Sequence, residues 1–187
     1  MASDQPLTAT ERLLPEHLGG HFGNVNRDPV TLAYLVARYN IESMLDVGCG
    51  PGGMLDDAVQ LGVRAAGVDG DPYVCEADRR ITCHDYTRGP LPWSAVDLIW
   101  SMEFVEHVSL EFVGNFLITF DAGRVLYLTA APPGFPGHHH VNCQPEGYWI
   151  LLLAGRGWQL DTEATQWVRA NGSHVFSQRQ GLVFARS

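Results

Sequence analysis

Long apolar runs are missing from this sequence of 187 residues. The most apolar stretch, Tyr148 to Ala154, falls far below the roughly 20 residues that span a bilayer, so no membrane segment is expected. The N-terminus lacks the basic-then-apolar pattern of a secretory signal. Cysteine is scarce as well: Cys49, Cys75, Cys83 and Cys143 form no CxxC pair. That pattern predicts reduced thiols of a soluble cytoplasmic protein. Positive charge is in deficit, with a formal net charge of −9. Binding to a nucleic-acid backbone relies on clustered Lys and Arg and on counterion release, so nucleic acid is a disfavoured partner. Internal repeats and low-complexity tracts are absent. The length suits a single domain over 1–187, with a folded core over 28–187 and a segment 1–27 that reads as either a tail or a lid.

What is present is a glycine-rich segment, Met44-Leu45-Asp46-Val47-Gly48-Cys49-Gly50-Pro51-Gly52-Gly53. Leu45 and Val47 suit a buried parallel strand, and the glycines let the backbone turn sharply and lie close to a ligand. Gly48, Gly50 and Gly53 satisfy the dinucleotide fingerprint GxGxxG, so a nicotinamide or flavin is one reading. Asp46, two positions before the first glycine, favours another. A carboxylate at the strand's carboxyl end receives an ammonium group well and repels a pyrophosphate. The segment resembles motif I of the class I S-adenosylmethionine (SAM) methyltransferases, DxGxGxG, with Asp46, Gly48, Gly50 and Gly52 at the matching positions.

The resemblance extends over residues 44 to 130. A helix over 54–61 leads into a strand over 63–69 that ends in Asp69, where a carboxylate can accept both ribose hydroxyls. A third strand over 81–85 ends in Asp85, which in this family hydrogen-bonds the adenine amino group. A fourth strand over 96–101 ends in Ser101, and a helix starts near Glu103. The resemblance implies SAM as cofactor, bound by Asp46, Gly48, Gly50, Gly52, Asp69, Asp85 and Ser101. Alternating strands and helices predict an α/β, Rossmann-like, doubly wound sheet of seven strands, mostly parallel with an antiparallel C-terminal strand. Its ligand crevice lies at the carboxyl ends of the strands.

Other elements follow from local patterns. Asp28 and Pro29 open a helix carrying Leu32, Leu35, Val36 and Tyr39 at helical spacing. Arg124 to Thr129 forms the fifth strand. Pro145 opens an apolar helix that ends at Gly155 and Gly157, with Asn142 or Gln144 as its cap. Residues 158–169 and 176–186 read as two strands joined through 170–173.

Methyl transfer from SAM is an in-line displacement, so positioning and desolvation supply much of the acceleration; a base is needed only if the acceptor must lose a proton. Glu103, Glu106 and His107 stand at i, i+3 and i+4, so one helix face presents all three. In one reading the two acids favour the positive helix start and His107 packs near the cofactor. In the other, ExxEH resembles the segment that holds a divalent ion in small-RNA 3′-terminal 2′-O-methyltransferases and in some quinone-biosynthesis O-methyltransferases. There a further histidine comes from the loop after the fifth strand, and this chain offers His138, His139 and His140. The resemblance implies Mg²⁺, Mn²⁺ or Zn²⁺ on Glu103, Glu106, His107 and His140, acting as a Lewis acid toward a hydroxyl. Without a metal, His107, His139 and Glu103 are the catalytic candidates, with a histidine as general base.

The expected activity is therefore SAM-dependent O-methylation of a small-molecule or sugar-like acceptor. Three alternatives stand beside it. An RNA 3′-terminal ribose methyltransferase is opposed by the acidity and by the lack of an added RNA module. An NAD(P)-dependent reductase of the doubly wound type is opposed by Asp46, by the missing substrate domain and by the absence of a Tyr-xxx-Lys pair. A non-catalytic SAM-binding subunit is the third.

Overall fold

The structure is a computed structural model that describes residues 14–21 and 25–186. The chain enters its first helix, α1 (Pro29–Tyr39), through a side-chain cap. The Asp28 carboxylate accepts from Thr31 N and Thr31 Oγ1 at 2.9 and 2.7 Å. It also accepts from Ser173 N and Oγ at 2.9 and 2.7 Å, so one buried acid ties the helix start to the C-terminal third of the chain. Asn40, at φ 51°, ends the helix in the left-handed region.

The strands are β1 (Ser43–Val47), β2 (Arg64–Asp69), β3 (Ile81–Cys83), β4 (Val96–Met102), β5 (Gly123–Thr129), β6 (Gln159–Leu160) and β7 (Leu182–Ala185). Between them run α2 (Gly53–Gln60), α3 (Pro72–Ala77), α4 (Val113–Phe120), α5 (Glu146–Ala154), α6 (Thr162–Asn171) and α7 (Val175–Gln180). The seven strands lie in the order β3-β2-β1-β4-β5-β7-β6. β1 to β5 are parallel, and β7 inserts antiparallel between β5 and β6. The order reverses between β1 and β4, and this opens a crevice at their carboxyl ends.

Alternation along the buried strands supplies two cores, one on each face of the sheet. In β4, Leu98 and Trp100 pack with Leu35, Leu55, Tyr127 and Val183 on one side. Ile99 packs with Val47, Phe116, Phe120, Trp149 and Phe184 on the other. At the amino ends of the strands a single carboxylate clamps three of them. Asp97 Oδ2 accepts from Glu42 N, Ser43 N and Ser43 Oγ at 2.9, 3.0 and 2.9 Å, while Oδ1 accepts from Arg124 Nε at 2.8 Å. Burial would raise the Asp97 pKa, but Arg124 and these donors outweigh it and hold the group down at about 2. No helix among the described residues is long and apolar enough to cross a membrane.

Three local expectations are corrected. The two strands expected over 158–169 and 176–186 shrink to β6 and β7, because Asp161 caps a helix by accepting from Ala164 N at 2.8 Å. Ala164 and Val168, four residues apart, then face the core, which is a helical and not a strand period. The helix expected from Glu103 is instead a turn at Glu103 (φ 53°) followed by single 3₁₀ turns over Val105–His107 and Leu110–Phe112. At α5 neither Asn142 nor Gln144 caps the helix. Asn142 is buried and donates Nδ2–H to Val105 O at 3.3 Å, and Gln144 donates to Asn142 Oδ1 at 3.1 Å.

Candidate functional site

The crevice holds a cavity of about 410 Å³. Its floor is the turn after β1. Gly48 N and Cys49 N both donate to Val68 O, at 2.9 and 3.2 Å, which bends the chain back against β2. Gly48 has φ 79°, and a Cβ there would lie 2.5 Å from the Phe104 ring, so the position requires glycine both for its conformation and for space.

Two carboxylates, Asp46 and Asp69, line the cavity beside this turn. Asp69 Oδ2 accepts from Gly50 N at 2.8 Å and Oδ1 from Asp71 N at 2.9 Å. Burial outweighs these two bonds and raises its pKa. Asp46 is 3% exposed and accepts no hydrogen bond from any described residue. Burial, with the Asp69 charge added, pushes its pKa well up. A buried carboxylate left without a donor is costly unless a ligand supplies the missing positive charge. Asp85 lies further along the wall, where Oδ1 accepts from Thr87 N and Oγ1 at 2.9 and 2.7 Å, and His17 Nε2 stands 3.1 Å from Oδ2.

His107 and His140 also line the cavity, and Glu106 is buried behind them, outside the lining. One ligand atom from each of Glu106, His107 and His140 lies within 4.8 Å of the others. The chain brings them together by backbone pinning: Val141 N and Asn142 N both donate to Glu106 O at 3.0 Å, which docks the histidine loop on the 3₁₀ turn. His107 Nδ1 lies 2.9 Å from His138 O, and His140 Nδ1 lies 3.0 Å from Phe135 O. A carbonyl only accepts, so both rings carry hydrogen on Nδ1, and in a neutral imidazole this leaves Nε2 as the acceptor. Glu106 is wholly buried; its Oε1 accepts from Ala131 N at 3.2 Å and its Oε2 has no hydrogen-bond partner among the described residues. Burial, reinforced by Glu103, raises the Glu106 pKa, and burial beside His140 pushes His107 down to about 4, so His107 is neutral at pH 7.

The other candidates are distributed differently. Glu103 lines the cavity outside the three-residue group, and its Oε1 accepts from Thr129 Oγ1 and Gln180 Nε2 at 2.8 and 2.7 Å. Ser101 is buried in the sheet, donating to Val47 O at 3.3 Å, and is not among the lining residues. Gly52, at φ 83°, caps α2 outside the lining. His139, at φ 47°, is also outside it, its ring 6.0 Å from that of His17.

Met102 and Phe104 fall in the segment after β4 that the resemblance places beside the methyl group, whereas sequence reasoning passed over the aromatic walls Phe135 and Phe176. These two come from the loop after β5 and from α7, so no local spacing marks them. Of the segment read as tail or lid, residues 14–21 are described, and His17 to His21 cover the cavity as a strap; 1–13 and 22–24 lie outside the described residues.

Comparison with known proteins agrees with this architecture. A methyltransferase-domain family matches residues 45–118, the stretch that carries the glycine turn and the acids Asp46, Asp69 and Asp85. A search of curated protein sequences gave no match. Among solved structures, the methyltransferase domain of bacterial CtHen1-C superposes with a TM-score of 0.62 at 17% identity, over 85% of this chain and 96% of that one. The magnesium protoporphyrin IX methyltransferase ChlM from Synechocystis PCC 6803 with bound S-adenosylhomocysteine (SAH) gives 0.61 at 18%, over 83% and 80%. The plantazolicin methyltransferase BpumL with SAH gives 0.58 at 12%, over 85% and 82%. With the glycine turn, the unpartnered Asp46 and the sheet order already in place, the family match marks residues 45–118 as a methyltransferase domain, on the Rossmann-like fold of the SAM-dependent methyltransferases.

Proposed function

We propose that this enzyme methylates a hydroxyl oxygen of a small acceptor beside a divalent cation held by Glu106, His107 and His140. The observation that carries this reading is the convergence of one ligand atom from each residue within 4.8 Å. The donor set fits such an ion. Both imidazoles spend Nδ1–H on a backbone carbonyl, which fixes ring orientation in the way that outer partners of metal-bound histidines do. Glu106 Oε2 is buried and no hydrogen bond from a described residue satisfies it. A cation at this point supplies Lewis acidity toward an acceptor hydroxyl.

The SAM end has its own division of labour. SAM supplies a methyl group activated on a sulfonium. Asp46 receives the ammonium of its methionine part, Gly48 and Gly50 form the backbone shelf, Asp69 accepts the ribose hydroxyls, and Asp85 faces the adenine. Phe104, closed against Gly48, excludes water between the two ends. Glu103 acts through its bonds to Thr129 and Gln180 and holds the turn that precedes Glu106. A small acceptor is favoured over a nucleic-acid end by charge. The chain has no lysine, and among the described residues that line the cavity there is no arginine, while Asp46, Asp69, Asp85 and Glu103 are there.

The test is turnover by protein purified without an affinity tag, stripped with a chelator and then given back Mn²⁺, with SAH formation followed over matched hydroxyl and amine acceptors. Loss on stripping, recovery with Mn²⁺ and a preference for hydroxyls are expected. Undiminished turnover in metal-free protein would overturn the cation, and a preference for amines would overturn the oxygen.

A further inference from the structure

His138 belongs to two parts of the site at once. Its carbonyl accepts from His107 Nδ1 at 2.9 Å and so orients one member of the acid-histidine group. Its imidazole reaches the strap, with Nε2 2.7 Å from Glu16 O. The strap backbone lies directly on that ring, since a Cβ at Gly20 would come 2.8 Å from His138 Cδ2. At the other wall the strap is anchored on the cofactor side. His17 Nε2 lies 3.1 Å from Asp85 Oδ2, His21 Nε2 lies 3.0 Å from Asp71 Oδ2, and Asp71 N in turn donates to Asp69. Leu18 presses onto the backbone of this wall, where a Cβ at Gly70 would lie 2.4 Å from Leu18 Cδ2.

We propose that the strap over residues 14–21 and His138 form a relay between the two ends of the cavity. Filling the cofactor end then tightens the hold of Glu106, His107 and His140 on a divalent cation, with His138 as the positioning residue. The inference rests on the cation reading above. The physical basis is an element with two sets of anchors. A ligand under the strap bridges it to the Asp69–Asp71–Asp85 wall, the strap then fixes the His138 ring, and a fixed ring fixes the carbonyl that sets His107. Coupling of this kind is reciprocal, so the cation tightens cofactor binding by the same factor.

The experiment is calorimetric titration of Mn²⁺ into the full chain with and without saturating SAH, and of SAH with and without Mn²⁺. In the wild type each ligand should strengthen the other by about tenfold, within the usual range of coupling between sites. In His138→Ala the Mn²⁺ affinities with and without SAH should become equal. In His138→Gln the coupling should return, because the amide can donate to Glu16 O. A merely structural role for the side chain predicts a lowered melting temperature with coupling intact, and that result would overturn the relay. Equal Mn²⁺ affinity with and without SAH in the wild type would overturn it also, while leaving the cation reading in place. Failure of the wild type to bind Mn²⁺ at all would overturn both.

Discussion

The Asp46 carboxylate is 3% exposed, lacks a hydrogen-bond donor among the described residues and has Asp69 beside it. Burial first, and the neighbouring charge second, raise its folded pKa above the roughly 3.9 of an unfolded aspartate. Below about pH 4 the group is protonated in both states and folding is indifferent to it. As pH rises from there toward the folded pKa, the unfolded chain ionises first and the fold loses stability. Asp46→Asn should therefore raise the melting temperature of the ligand-free protein at pH 8, and the gain should vanish near pH 4. If Asp46 receives the SAM ammonium as proposed, the same variant should also bind SAM more weakly. Scanning fluorimetry at the two pH values, with calorimetry for the cofactor, checks both. An unchanged melting temperature at pH 8 would mean that the carboxylate is already satisfied in the folded state.

At the scale of elements, Asp97 is the opposite case. It joins the amino ends of β1, β4 and β5 through four hydrogen bonds, and its folded pKa is held down at about 2. A depressed carboxylate contributes stability that is complete above the unfolded pKa of about 3.9 and is lost as pH falls through the folded value. Asp97→Ala should cost about 1–3 kcal/mol at pH 7, the usual scale for leaving bonded partners bereft. Denaturant titrations of the two proteins should converge as pH drops from about 4 to about 2.

The elements differ in how far they could be read from the chain. β1, β4 and β5 were legible because each is a short, largely buried apolar run, and β2 and β3 because the acids Asp69 and Asp85 mark their crevice ends. α6 and α7 were not, because Trp158, Val168 and Phe176 are spread through polar sequence and the decisive signal is a single cap at Asp161. In the site, Glu106 and His107 were legible as neighbours. Of three successive histidines, only the backbone geometry distinguishes His140, since φ 47° at His139 turns that ring away. Glu103 left the group for the same reason: its positive φ breaks the helix that would have aligned it.

For the whole molecule, the crevice is roofed by a strap that touches both walls, so ligand binding should stabilise the folded chain as a unit. SAH at a hundredfold over its Kd adds about 2.7 kcal/mol by mass action. For a chain of this size that corresponds to a rise of about 5–10 °C in melting temperature, with no comparable shift from NADH. A response to NADH instead would contradict the cofactor assignment. The sheet order has a further consequence for synthesis. Among the described residues β7 is the last strand, yet it lies between β5 and β6 and is the only strand paired with β6. While a ribosome is still making residues 182–185, Tyr127 and Leu128 on the exposed flank of β5 have no covering strand, and Phe184 is missing from the core. Nascent chains paused before that point should present an open, apolar sheet edge to chaperones, and the protein becomes self-sufficient only when β7 slides into its slot.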